Sequence, residues 1–180
     1  MADLNLEAAP FLGGYARDFG TVHLREETGL YLRSIAIPLG GETAAAAAVK
    51  KALGVDLPAA GVTVTGKARV LATAADQYLA ISDSPAALDK LGDAVYVTDQ
   101  SDVWSALTID GPGSRSALER LCPLDLDPEV FAEGATARTV MEHMGAMIIR
   151  TGPDAFLLLV SSSYAASFLH AVETSVVYTT

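Results

Sequence analysis

The residues of this chain that could carry chemistry are three histidines, one cysteine, a pair of aspartates, a serine triplet and two glycine turns. His23, His143 and His170 fall in different segments, and none has a carboxylate or second histidine at the spacing a metal requires. His143 alternates with Met141 and Met144-Gly145 and reads as a packed or surface strand residue. His170 follows Phe168-Leu169 near a helix C-terminus, where the helix dipole favours a cation. Cys122 lies between Leu121 and Pro123 with no basic neighbour to activate it, so it reads as a small buried apolar side chain.

Asp125 and Asp127 would point the same way on an extended segment, where they could share a cation or a proton. Pro123 and Pro128 bracket them, and turn and capping chemistry explains the pair more simply. Ser161-Ser162-Ser163 lacks the G-x-S-x-G elbow of a serine nucleophile and reads as a helix cap. Gly40-Gly41 and Gly111-Pro112-Gly113 precede helices, whose N-termini can hold phosphate. Neither matches G-x-G-x-x-G or a Walker loop, so each reads as a tight turn. Arg115 and Arg120 are expected to pair with Asp125, Asp127 or Glu119 on the surface, each pair contributing little. No catalytic, cofactor-binding or metal-binding residue is assigned.

The elements that would position these groups alternate between strand and helix. Leu30–Ile37 reads as a strand broken by Pro38-Leu39-Gly40-Gly41; Thr43 is placed to cap a helix over Ala44–Leu53, and Gly54 to end it. Val62–Thr65, Ala68–Thr73 and Gln77–Ser82 read as strands, Pro85–Leu91 as a helix and Ala94–Thr98 as a strand. The order then repeats. Val103–Ile109 is a strand and Ser114–Leu121 a helix; Ala137–His143, Ala146–Arg150 and Ala155–Val160 are strands, and Tyr164–Val172 is a helix. Ser175–Thr179 reads as a closing strand. The match of Ala75-Asp76-Gln77-Tyr78-Leu79-Ala80-Ile81-Ser82 to Pro153-Asp154-Ala155-Phe156-Leu157-Leu158-Leu159-Val160 supports a duplication. The expected fold is α+β, internally duplicated, with two ferredoxin-like half-domains. Residues 30–100 and 101–180 form the halves of one compact unit.

Residues 1–29 sustain no period. They read either as a flexible N-terminal arm or as an arm lying on a partner, since Phe11, Leu12, Tyr15 and Phe19 are many large apolar groups for a free tail. With Trp104, these four are the candidate partner-contact residues. The 180 residues carry 51% hydrophobic and 19% charged side chains, a globular composition, and a formal net charge of −10. Such a charge disfavours nucleic acid and anionic membrane as partners. No apolar run approaches the roughly 18 residues of a membrane span. One cysteine fits a reducing cytoplasm, and the N-terminus does not read as a secretory signal.

The string from Gly111 to Phe131 resembles the gamma subunit of heterotetrameric sarcosine oxidases. The matching residues are Gly111-Pro112, Leu118, Leu121-Cys122-Pro123-Leu124-Asp125-Leu126, Phe131 and Gly134. The resemblance continues through Ala137-Arg138-Thr139, Ile148-Ile149-Arg150-Thr151-Gly152 and Asp154-Ala155-Phe156-Leu157-Leu158-Leu159-Val160. One departure is Ser162-Ser163, where the family commonly has Arg-Ser. The resemblance implies a fold similar to the folate-binding domain of glycine cleavage T proteins. It also implies a non-catalytic, structural or assembly role in a complex that oxidatively demethylates sarcosine to glycine. FAD, FMN, NAD and tetrahydrofolate would then belong to the partner subunits: larger alpha and beta flavin-containing subunits, with a small delta subunit besides. The T-protein folate signature has no match here. A stand-alone folate-binding protein of the same fold and a small regulatory ligand-binding module are the competing expectations.

Overall fold

Alternation along the strands decides which side chains meet. In the strand Ala155–Ser161, Phe156, Leu158 and Val160 join one apolar cluster, while Leu157 and Leu159 join another. Both faces of this strand are therefore covered, which explains its near-continuous apolar run. The computed structural model describes residues 9–179. Its strands are β1 (Ala16–Asp18), β2 (His23–Glu26), β3 (Tyr31–Ala36), β4 (Thr63–Thr65), β5 (Arg69–Ala74), β6 (Gln77–Ser82), β7 (Tyr96–Asp99), β8 (Trp104–Asp110), β9 (Thr136–Met141), β10 (Met144–Gly152) and β11 (Ala155–Ser161). The helices are α1 (Glu42–Leu53), α2 (Pro85–Leu88), α3 (Ser114–Glu119) and α4 (Ala165–Thr179).

Two antiparallel sheets result, ordered β4-β5-β6-β3-β7 and β9-β10-β11-β8-β2-β1. One core lies between the first sheet and α1 and α2, with Ile35, Val49, Leu53, Val70 and Leu88 among its members. A second lies between the other sheet and α3 and α4, built around Leu118, Ile148, Phe156, Phe168 and Val172. A third joins the sheets face to face through Leu32, Leu71, Leu79, Met147, Ile149 and Leu159. The layers thus run helix, sheet, sheet, helix. Helix α1 turns Ala45, Val49, Ala52 and Leu53 inward at helical spacing. Full burial of Val49 and Leu53 contributes about 1.5–3 kcal/mol each.

The chain is an α+β duplication, and the backbone repeats down to its irregularities. The β5–β6 ladder shifts register between Ala72 and Ala74, and the β10–β11 ladder between Arg150 and Gly152. The sheets are also stitched edge to edge by matching residues. Thr63 N–H donates to the Gly134 carbonyl at 2.8 Å, and Thr136 N–H donates to the Gly61 carbonyl at 2.9 Å. Gly61 and Gly134 have φ of +85° and +84°, which an L side chain adopts only with strain. Reciprocity of this kind marks a two-fold relation between the halves.

Several expectations are corrected. Residues 16–26 of the N-terminal segment form β1 and β2, and β2 pairs with β8 through Leu24–Ile109 and its neighbours. The short strand lengths left no period to read. The expected closing strand over 175–179 is the last turn of α4. Val172, Ser175 and Val176 are buried at helical spacing, and the Ser175 hydroxyl donates to the Ala117 carbonyl at 2.7 Å. Packing on α3 overrides the β preference of Val176 and Val177. Helix α1 begins one residue before Thr43, with Gly41 at the N-cap, whereas Gly54 ends it in the left-handed conformation as expected. His143 is a turn residue: Glu142 and His143, both at positive φ, connect β9 to β10.

The leading strand of each repeat is exchanged. Strand β2 precedes β3 in the chain but pairs with β8, whereas β7 precedes β8 but pairs with β3. Each sheet is completed by the strand that opens the other repeat.

Candidate functional site

The side chains singled out by the sequence do not converge. His23 faces the carboxylates of Asp110 at 3.2 Å and Asp18 at 3.5 Å on the exposed face of β2, His143 caps a hairpin and His170 lies exposed on α4. No cluster of His, Cys, Asp and Glu suited to a metal exists among the described residues. The Cys122 thiol is buried and donates to the Leu118 carbonyl, and burial pushes its pKa up, away from reactivity. Asp125 and Asp127 make local turns. The Asp127 N–H donates to the Asp125 carboxylate and the Glu129 N–H to the Asp127 carboxylate, each at 2.9 Å. Arg115 pairs with Glu119 and Asp127, while Arg120 lies over the Tyr178 ring. Near the serine triplet, Ser161 and Ser163 share a hydroxyl contact and the Ser162 hydroxyl donates to the Asp102 carbonyl.

Arg150 organises the segment that carries the Leu-Asp-Leu knuckle. It is 4% exposed, and its guanidinium donates to the carbonyls of Leu126, Phe131, Gly152 and Pro153. The Phe156 ring stacks beneath it at 5.5 Å. A buried cation with no carboxylate partner in these contacts is stabilised by carbonyl dipoles and a ring face. Its role is to hold residues 126–134 against β10.

The N-terminal segment is bound in a similar way. Glu26 is buried, and its carboxylate accepts from the Leu12 N–H at 3.0 Å and the Gly14 N–H at 2.8 Å. The Tyr15 hydroxyl donates to Glu173 on α4, and the Tyr15 pKa is raised to about 12 by burial first and this carboxylate second. Leu12, Tyr15 and Phe19 pack on the chain's own second core, and Trp104 packs between the sheets with no hydrogen-bond partner for its indole N–H among the described residues. Phe11 is 45% exposed beside a cleft of about 340 Å³ that Trp104 also lines.

A larger cleft of about 720 Å³ opens where the two sheets part. Leu30, Ile81 and Leu157 continue the inter-sheet core into its floor. Arg69, Thr65, Arg25 and Thr108 stand on its walls. Arg25 is paired to Glu27 at 2.9 Å and Asp110 at 3.1 Å, and the Thr108 hydroxyl donates to Glu27 at 2.7 Å. Arg69 is half-buried, makes no side-chain hydrogen bond or ion pair among the described residues, and is held below its ordinary pKa by burial. Sequence reading passed over Arg69, because alternation in one strand does not say what the facing sheet presents.

The glycine turn before α3 offers no room for a nucleotide phosphate. A side chain at Gly111 would meet the Thr21 carbonyl at 2.4 Å and one at Gly113 would meet Val22 at 2.8 Å, so the chain's own N-terminal segment fills the approach. The Gly113 N–H already donates to Thr21. The residues here do not fit a dinucleotide.

This architecture defines a class, the duplicated sheet-on-sheet fold of the glycine cleavage aminomethyltransferases. The aminomethyltransferase T from Bartonella henselae matches it with a TM-score of 0.62 at 15% identity, covering 82% of this chain and 44% of that one, a likeness of fold alone. Within that class the chain belongs to the Sarcosine oxidase, gamma subunit family, which matches residues 40–176. Sarcosine oxidase subunit gamma of Corynebacterium sp. strain U-96 is 32% identical over 133 residues, 69% of this chain and 65% of that protein. The gamma subunit of strain P-1 is 32% identical over 163 residues, 84% of this chain and 78% of the other. A chain of the heterotetrameric sarcosine oxidase from Corynebacterium sp. U-96, in complex with pyrrole 2-carboxylate, has a TM-score of 0.78 at 28% identity. That likeness covers 87% of this chain and 84% of that one.

Proposed function

We propose that this chain is a non-catalytic, structural subunit of a flavin-dependent sarcosine oxidase complex. The observation that carries the reading is the shared fold, over 87% of the chain, with a chain of a heterotetrameric sarcosine oxidase. The separation of the histidines, the inert setting of Cys122 and the filled glycine turn support a role without chemistry of its own. In this reading the alpha, beta and delta subunits are the partners. FAD, FMN, NAD and tetrahydrofolate are held by those partners in the cytoplasm. Phe11, exposed at the rim of its cleft, is the proposed contact among the five side chains read from the sequence, because the other four pack at least partly within the chain.

Affinity purification of the tagged chain from its own cells tests this. The expected result is a yellow assembly with larger subunits and sarcosine-dependent oxygen uptake, and no such uptake by this chain alone. A colourless, solitary protein would overturn it, and tetrahydrofolate binding by that solitary protein would establish the stand-alone alternative.

A further inference from the structure

In the inter-sheet space the two halves differ in charge at the position of Arg69. Arg69 on β5 stands opposite Ile81 on β6, and Met147 on β10 stands opposite Leu159 on β11. The repeat aligns Ile81 with Leu159, so Arg69 occupies the place that the second half gives to a core methionine only 2% exposed. Met147 is a buried member of the apolar core between the sheets. At the equivalent point in the first half the sheets part, and Arg69 lines the opening.

Stem packing alone would leave the head of such an arginine in water. Here the head is partly desolvated, and no carboxylate of the chain reaches it among the described residues. Two acids that line the same cleft, Glu27 and Asp110, are held by Arg25. The third, Asp83, is exposed and makes no ion pair with Arg69. Lys67 Nζ donates to the Ala52 carbonyl at 3.3 Å and makes no ion pair among the described residues. The cleft thus presents an apolar floor, three threonines and one guanidinium free to form a bidentate bond. Its volume falls in the range of roughly 300–1,000 Å³ usual for small-molecule sites.

We propose that this cleft binds a small organic monocarboxylate, with the carboxylate on Arg69 and an apolar body against Leu30, Ile81 and Leu157. A monoanion fits better than a phosphate dianion. Three acidic side chains line the cleft beside three basic ones, so a second negative charge would be opposed. The site goes beyond the subunit reading and does not depend on it.

The test titrates the full-length chain with 2-naphthoate, 2-naphthamide and 2-naphthyl phosphate, by calorimetry and by backbone amide shifts. Saturable binding of naphthoate is expected, with shifts centred on Thr65, Arg69 and Ile81. The amide should bind about tenfold more weakly or worse, for want of a charge-assisted bond. Arg69→Met installs the residue of the other half. It should keep the fold, seen as unchanged far-UV circular dichroism, and lose naphthoate binding by a similar factor. Equal binding of acid and amide, shifts centred elsewhere, tighter binding of the phosphate, or unchanged affinity in a folded Arg69→Met protein would each overturn the proposal. So would the absence of saturable binding to the wild-type chain.

Discussion

Arg150 and Tyr15 show how single polar groups hold irregular backbone in place. Removing the Arg150 guanidinium would leave the carbonyls of Leu126, Phe131, Gly152 and Pro153 without their donor. Arg150→Leu should therefore destabilise the protein by about 3–5 kcal/mol, read as a shift in the urea midpoint. Arg150→Lys should recover only part, since one ammonium cannot span four acceptors set out for a planar fork. At Tyr15 the folded pKa of about 12 lies above the ordinary tyrosine value of 10.0. Between these values the unfolded chain has lost a proton that the folded chain retains, so stability falls as pH rises from 10 to 12. Below pH 10 the contribution is fully present. Denaturation at stepped alkaline pH should show a steeper loss for the wild type than for Tyr15→Phe; equal slopes would contradict the assignment.

At the scale of elements, residues touching on both faces of a strand were the easiest to read from sequence. The bounds of β6 were recovered as Gln77–Ser82, and β11 extends the expected strand only by Ser161. Helix α1 was legible from its alanine run and its left-handed Gly54. What failed had its cause elsewhere in the chain. Strands β1 and β2 have three and four residues, too few for a period, and exist because β8 offers an edge. The last turn of α4 carries β-branched residues and is helical because α3 receives Ser175. Of the five candidate contact residues, the sequence identified large apolar groups but not that their partner, for Leu12, Tyr15 and Phe19, was the chain itself. Arg69 was invisible for the same reason. If α4 owes its length to packing, Val172→Ala, which hollows the core at a fully buried site, should cost about 2 kcal/mol in urea denaturation. The exposed Val177→Ala, one turn further on, should change stability by less than about 0.5 kcal/mol.

For the whole molecule, the shared inter-sheet core and the exchanged strands predict one cooperative unfolding transition. The only tryptophan, Trp104, sits in that inter-sheet core and reports on the junction, whereas far-UV circular dichroism reports on all elements. The two curves should coincide in urea. An earlier fluorescence change would show the halves separating before either melts.

The exchange of leading strands also sets an order of events during synthesis. The first sheet, β4-β5-β6-β3-β7, is drawn from one continuous stretch and can close as soon as residue 99 has left the ribosome. Strands β1 and β2 are made before any of it, yet β8, on which β2 pairs, is completed only at residue 110. The nascent chain therefore carries the β1–β2 hairpin undocked while an entire half-domain is translated behind it. Docking of the β1–β2 segment, which would come first if the growing chain folded strictly in order, waits here until β8 emerges.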